Sequence, residues 1–321
     1  MRQRRTATMQ LISRNTNIDF MGRRRLALMG SVALLAAALL ALGIRGLNFG
    51  IDFTGGTLIE VGYPEAADLD PVRAALAASG FGDAIVQHFG TSRDVLVRLA
   101  PHAERSQAQL STTVLNALRQ ASNGEGVQMR RVKFVGPQIG EELTEQGGLA
   151  MLIALGAILL YVALRFEYRF ALGSVAALAH DVLIVLGFFA LFQLEFNLVV
   201  LAAVLAVIGY SLNDTIVVFD RMRENFRKIR KGAPEQIMNA SVNQTLSRTV
   251  MTSVTTLLVL LALLLLGGEV ISGFASALIA GVVIGTYSSI FVASSTALVL
   301  GVSKADMMPV KKEGESEADR P

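Results

Sequence analysis

The sequence predicts a polytopic α-helical membrane protein with six transmembrane helices and one small α+β domain, ferredoxin-like in order, between helices one and two. Three observations predict it. Of 321 residues, 52% are hydrophobic, and the mean hydropathy is +0.51. The apolar residues fall in blocks long enough for the ~20 residues that cross a ~30 Å hydrocarbon core. The arginines stand beside those blocks rather than interleaving with aromatics, so the net charge of +3 and pI near 9.3 are a topology signal and no nucleic acid is expected as a partner. With no cysteine and three histidines, neither thiolate chemistry nor a histidine-rich metal site is expected. A phosphate-cradling glycine loop is lacking as well, so ATP hydrolysis by this chain is not expected, and the chain is read as a non-enzyme with no cofactor.

Residues 1–25 are a basic N-terminus, and the first apolar block, 26–44, follows Arg23, Arg24 and Arg25. It exceeds the ~7–15 residues of a signal-peptide core and reads as an uncleaved anchor, transmembrane helix 1 at 26–45; the run Ala36-Ala37-Ala38 leaves cleavage as the alternative. Transmembrane helices 2–6 occupy 147–300, in blocks at 147–164, 171–192, 198–219, 249–267 and 273–300. The last is longer than a span needs, so it tilts or leaves the membrane. The link Arg165-Phe-Glu-Tyr-Arg169 and the stretch with Arg221, Arg223, Arg227, Lys228, Arg230 and Lys231 are basic, whereas links 193–197 and 268–272 hold no Lys or Arg. The positive-inside rule then puts both termini in the cytoplasm, including the tail 301–321 with Lys304, Lys311 and Lys312. Residues 233–243 read either as a short interfacial helix, through Ile237, Met238 and Val242, or as a solvated connector.

Residues 46–146 form the one long translocated segment, a single small domain's worth of chain. Residues 57–63 alternate as a strand, and Asp70-Pro71 starts a helix that runs to 78 and ends at Gly80. Strands follow at 84–89 and 94–99, a helix at 104–121 and a closing strand at 127–135. The order β-α-β-β-α-β is the split βαβ arrangement, with two helices on one face of an antiparallel sheet. His88 and His102 are isolated and read as surface or packing residues.

Ionisable side chains inside a span cost a few kcal/mol unless paired, solvated or functional. Four stand out: His180 and Asp181 in span three, Asp214 in span four and Arg248 at the start of span five. Asp214 precedes Arg221 by seven residues, ~10 Å inside the cytoplasmic boundary, and Arg248 is long enough to reach that depth. A movable Asp–Arg pair exchanges a proton as it forms and breaks; a static pair locks two spans together. Both readings fit the spacing. His180 and Asp181, near mid-bilayer, are either relay members or packing. Tyr210, Ser211, Asn213 and Thr215 surround Asp214 with hydrogen-bonding groups that suit a helix–helix face.

Three motifs, in this order, carry a resemblance. Phe49-Gly-Ile-Asp-Phe-Thr-Gly-Gly-Thr57, with Gly50, Asp52, Gly55 and Gly56, follows the first span. Val135-Gly-Pro-Gln-Ile-Gly-Glu-Glu-Leu143, with Gly136, Pro137 and Gly140, precedes the second, and residues 209–225, with Asn213, form the third. With the six-span layout they make the chain similar to the SecD/SecF family of protein-export membrane proteins, relatives of the RND transporters. The resemblance implies a bacterial inner-membrane location and a SecD partner in a pseudo-symmetric twelve-span complex. It further implies action beside the SecYEG channel, with YajC and YidC, on a translocating preprotein, driven by the proton gradient after ATP-driven SecA has begun. It assigns proton passage to Asp214 and Arg248. The alternatives are a small-molecule RND-type proton-coupled exporter and a scaffold whose buried ions are structural.

Overall fold

The computed structural model describes residues 16–101, 107–122, 126–229 and 231–303; His102, Arg230, Lys304, Lys311, Lys312 and the expected start of the 104–121 helix lie outside the described residues. Behind α1 (Arg24–Arg45) come a two-residue strand β1 (Asn48–Phe49) and a single helical turn α2 (Ile51–Thr54). The domain follows as β2 (Gly56–Gly62), α3 (Leu69–Ala78), β3 (Ile85–Phe89), β4 (Thr91–Leu99), α4 (Gln107–Ala121) and β5 (Gln128–Val135). The sheet runs β3-β4-β2-β5 with every neighbour antiparallel, the ferredoxin-like topology that the strand–helix order predicts.

Strand alternation decides which face the helices cover. Ile59, Val61, Val95, Val97 and Leu99 point one way and are fully buried. Against them lie Val72 and Leu76 of α3 and Leu110, Val114 and Leu118 of α4, each set spaced by four on a helix. Asp68 caps α3 by accepting from the Asp70 amide at 3.1 Å. The other face, including Leu58, Leu96 and Lys133, turns towards the helical bundle and roofs a cavity of about 430 Å³.

The remaining spans are α5 (Pro137–Arg165), α6 (Tyr168–Phe192), α7 (Leu198–Lys228) and α8 (Pro234–Leu266), with a two-residue strand β6 (Glu195–Phe196) between α6 and α7. The sixth is built from α9 (Glu269–Ser288), a one-turn π segment (Ser289–Ala293) and α10 (Ser294–Val299). Among the described residues, six helical segments are thus long and apolar enough to cross a membrane. The two short links between α5 and α6 and between α7 and α8 mark a basic end of the bundle, opposite the α+β domain. Arg165 clamps that end with two bonds to Asp220 of α7, at 2.7 and 2.8 Å.

Three elements differ from expectation. Residues 233–243 are neither an interfacial helix nor a connector: Ala233 caps α8 and 234–243 are its first turns, continuous with span five. Their polar side chains keep the helix by bonding backward, Ser241 to the Ile237 carbonyl and Thr245 to that of Ser241, while Ile237, Met238 and Val242 join the bundle core. Span two likewise begins at Pro137, before its apolar block at 147, because Pro at the first helical turn starts α5 where β5 ends. The sixth span is interrupted at the π segment, which widens one turn of the helix. Residues 18–21, ahead of α1, are held by two asparagines one turn apart on α8. Asn239 accepts from the Phe20 amide at 2.8 Å, and Asn243 accepts from that of Ile18 at 2.9 Å.

Candidate functional site

The bundle's buried polar groups concentrate where α7, α8 and the sixth span meet. On α7, Tyr210 and Asp214 are spaced by four and share a face. On α8, Ser253 and Thr249 have the same spacing in the antiparallel sense, and α9 and the π segment supply Thr286 and Ser289. Two rungs result. Tyr210 donates to the Ser253 hydroxyl at 3.2 Å, which lies 2.6 Å from that of Thr286. Thr249 donates to Asp214 Oδ1 at 2.7 Å, and Ser289 donates to Asp214 Oδ2. Asp214 is buried, and its carboxylate meets hydroxyls from two neighbouring helices.

Asp181 stands beside this ladder, 1% exposed, on α6. Its Oδ2 accepts from Ser211 of α7 at 2.5 Å and Ser288 of α9 at 2.6 Å, and its Oδ1 lies 2.8 Å from His180 Nδ1. The adjacent residues thus touch despite pointing apart along the helix. His180 Nε2 is buried with no hydrogen-bond partner among the described residues. Leaving such an atom unpaired costs about 1–3 kcal/mol. The His180 ring lies 6.2 Å from that of Tyr287, whose hydroxyl reaches Ser31 of α1 at 2.9 Å.

Arg248 does not pair with Asp214 in this arrangement. Its side chain is exposed on α8, one position from Thr249, and no ion pair within 4 Å joins the two among the described residues. Asn213 is also exposed, on a different face of α7 from Asp214, and does not enter the hydroxyl network.

The glycine motifs meet at the joint between domain and bundle. Gly56 has φ +125°, and a Cβ there would lie 2.4 Å from the Leu99 carbonyl oxygen; Gly55 has φ +67°. Gly140 of α5 packs on that same turn, where a Cβ would sit 2.8 Å from the Gly55 amide nitrogen. Two motifs far apart in sequence are therefore two sides of one contact. Pro137 opens α5 and Gly136 precedes it as the cap residue, with room for a side chain. Gly50 donates its amide to the Phe196 carbonyl at 2.8 Å, and β1 runs parallel to β6.

Asp52 ties this joint to the bundle. It is 6% exposed, accepts from Lys133 of β5 at 2.6 Å through Oδ1, and accepts from the Leu198 amide at 3.2 Å through Oδ2. Leu198 is the first residue of α7, so one carboxylate holds both the sheet and the start of the helix that carries Asp214. Glu195, beside it, has its carboxyl pushed above the ordinary range by burial, against the pull of Arg98, with Asp52 adding to the rise. A raised carboxyl stabilises the joint fully below its unfolded value, and that contribution is lost as pH rises through the raised one. Hydrogen exchange at β6 and the start of α7 is expected to slow as pH falls through that window, and Glu195→Gln is expected to flatten the dependence. A variant with an unchanged pH profile contradicts this reading.

The family model for the C-terminal part of protein export membrane protein SecD/SecF matches residues 114–303, and the SecD/SecF GG motif model matches residues 40–63. The chain belongs to the SecD/SecF family. Protein translocase subunit SecF of Vibrio alginolyticus is 54% identical over 307 residues, covering 95% of this chain and 97% of that one. The crystal structure of SecDF from Thermus thermophilus, a translocon-associated membrane protein, matches with TM-score 0.81 at 40% identity over 90% of this chain. SecDF in its super-membrane-facing form matches with TM-score 0.67 at the same 40% identity over 91% of this chain. This chain spans 39% and 40% of the lengths of those two SecDF chains. At equal identity, the lower score reflects arrangement rather than sequence, so this SecD/SecF family member is arranged more like the first form.

The GG motif match falls on the Gly50–Asp52–Gly55–Gly56 joint, and the C-terminal match contains the whole hydroxyl ladder. Sequence reasoning picked out Asp214, Asp181 and His180 by the cost of burying them, but missed Thr249, Ser288 and Ser289. The signal was there in the i,i+4 spacing of Thr249 and Ser253 and in the Ser288-Ser289 pair.

Proposed function

We propose that this chain is an auxiliary, non-catalytic subunit of the bacterial Sec protein-export machinery, lying in the inner membrane with both termini cytoplasmic and its α+β domain in the periplasm. The single observation that carries the reading is Asp214, a buried carboxylate held by hydroxyls of two neighbouring helices inside a member of the SecD/SecF family. The SecDF chains are more than twice as long as this one, which supports a SecD half completing the bundle. SecYEG, YajC and YidC are the further partners of this reading, and the translocating preprotein is its substrate. A small-molecule exporter gains no support from the relatives' names.

When Asp214 is charged, both hydroxyls donate to it; when it takes a proton, it becomes a donor and at least one hydroxyl must turn away. Ser289 then has the Thr286 carbonyl as its alternative acceptor, at 3.1 Å. Protonation is thereby a change in helix–helix bonding. α7 carries that change to the domain, because Asp52 and Gly50 grip its first turn and the strand before it. In this reading Arg248, on α8 next to Thr249, is the cation that meets Asp214 as the helices shift. Moving one charge across 100 mV supplies ~2.3 kcal/mol, enough to shift a two-state packing equilibrium roughly fifty-fold.

The test is export in membrane vesicles with SecA and ATP held constant, with and without a proton gradient. Asp214→Asn and Arg248→Met are each expected to remove the gradient-dependent part, a loss of at least roughly ten-fold, and to leave the ATP-driven part intact. Gradient-stimulated export that survives both substitutions contradicts the proposal.

A further inference from the structure

The hydroxyl ladder accounts for Asp214 but leaves a second carboxylate unused. Asp181 is as deeply enclosed, comes from a different helix, and has an imidazole bonded to one oxygen and two serines to the other. We infer that Asp181, with His180, is a second proton-carrying site, and that the consecutive residues Ser288 and Ser289 at the start of the π segment couple it to Asp214. This rests on the reading of Asp214 given above.

The geometry of the serines is the central observation. Neighbours on a helix point about 100° apart, so consecutive side chains reach different partner helices. Ser288 donates to Asp181 on α6, and Ser289 donates to Asp214 on α7. Each also has a carbonyl of its own helix within reach, Gly285 at 3.2 Å and Thr286 at 3.1 Å. A serine has one proton to donate. With its carboxylate charged it donates there; with the carboxylate protonated, the acid O–H donates to the serine oxygen and the serine turns to the carbonyl. Both alternatives converge where the sixth span departs from α-helical bonding, with Ser294 donating five residues back to the Ser289 carbonyl at 3.1 Å. The junction of α9 with the π turn thus senses the protonation of two neighbouring helices.

His180 supplies the second, independent observation. With Nδ1–H donating to Asp181, the enclosed Nε2 is a bare lone pair with no donor among the described residues. A proton entering there makes an imidazolium against Asp181; passing on through the ring, it leaves Nδ1 and neutralises the carboxylate, so no other co-reactant is needed. On the helices packed on α6, most ionisable groups stand at the helix ends: Glu141, Glu142, Glu145 and Arg165 on α5, those within 220–228 on α7, Glu269 on α9, and Arg24, Arg25 and Arg45 on α1. Between those ends α7 offers Tyr210 and Asp214, α9 offers Tyr287 and α5 offers Tyr161, and the π segment and α10 have none. Among the described residues no Lys or Arg forms an ion pair with Asp181, which leaves a proton to neutralise it. Asp181 lies about one helical turn nearer the domain end than Asp214, since Ser211 precedes Asp214 by three residues on α7.

The test uses the chain in its assembled complex, reconstituted into proteoliposomes, with proton flux and gradient-driven export both recorded against pH. Asp181→Asn is expected to lower both at least roughly ten-fold, with the Asp181→Asn, Asp214→Asn pair no worse than either alone, as for members of one pathway. Ser288→Ala is expected to shift the pH midpoint of flux while leaving the complex assembled. Carbodiimide labelling of the unsubstituted complex, read by mass spectrometry, keeps the proposal open to refutation if a variant fails to fold. Asp181 is expected to take the label increasingly as pH falls. Flux unchanged in Asp181→Asn but abolished in Asp214→Asn overturns this inference and leaves the function standing. Flux unchanged in both overturns both. Asp181 unlabelled at every pH, or flux that follows sodium at fixed pH, overturns the second proton site.

Discussion

Asp52→Ala is expected to separate proton movement from export, keeping flux through the bundle while gradient-stimulated export falls. The substitution takes away the acceptor of both the Lys133 ammonium and the Leu198 amide at a site 6% exposed. Hydrogen bonds to a charged group contribute about 1.5–3 kcal/mol, so losing about 2 kcal/mol from the joint moves a docked–undocked equilibrium ~30-fold. The Gly50–Phe196 bond and the β1–β6 pair remain, so the domain stays attached but no longer follows α7. Asp52→Asn keeps an acceptor for the amide and loses the ion pair; its export is expected to fall between the two. Parallel measurement of flux and export in one proteoliposome preparation decides it, and loss of both together in Asp52→Ala contradicts a coupling role.

Gly56→Val is expected to be the most damaging single change to the domain. The glycine sits at φ +125°, where side chains are strained, and a Cβ would meet the Leu99 carbonyl oxygen at 2.4 Å across the β2–β4 pair. Backbone strain and overpacking each contribute about 1–3 kcal/mol, a large share of the ~5–15 kcal/mol that holds a domain together. β2 is a central strand, so neither β4 nor β5 can move aside without giving up its own pairing. A melting point lowered by about 8 °C or more, together with faster proteolysis between β2 and β5, is the expected result. A variant that melts with the unsubstituted protein contradicts the close contact.

The spans were legible because lipid tolerates little but apolar helices, and the domain was legible because Ile59, Val61, Val95 and Val97 alternate at the period of a strand. What escaped follows from equally specific physics. β1 and β6 are two residues each, too short to show any period, yet they join the domain to the bundle. The first turns of α8 looked polar, and back-bonding from Ser241 and Thr245 keeps them helical. Asp214 and Asp181 announced themselves by the cost of enclosing charge, whereas Thr249, Ser288 and Ser289 are hydroxyls that a membrane helix carries cheaply. Their role depends on which helix faces which, and that is tertiary information. Arg248 was legible as a cation near Asp214 in depth, but its direction around α8 was not.

The most direct measurement is proton entry into proteoliposomes holding this chain with its partner subunit, followed by a lumenal pH dye under an imposed gradient. The unsubstituted complex is expected to conduct protons, and Asp214→Asn is expected to reduce the rate at least roughly ten-fold with the complex intact by size. Equal proton flux in the two preparations contradicts a proton-carrying role for Asp214.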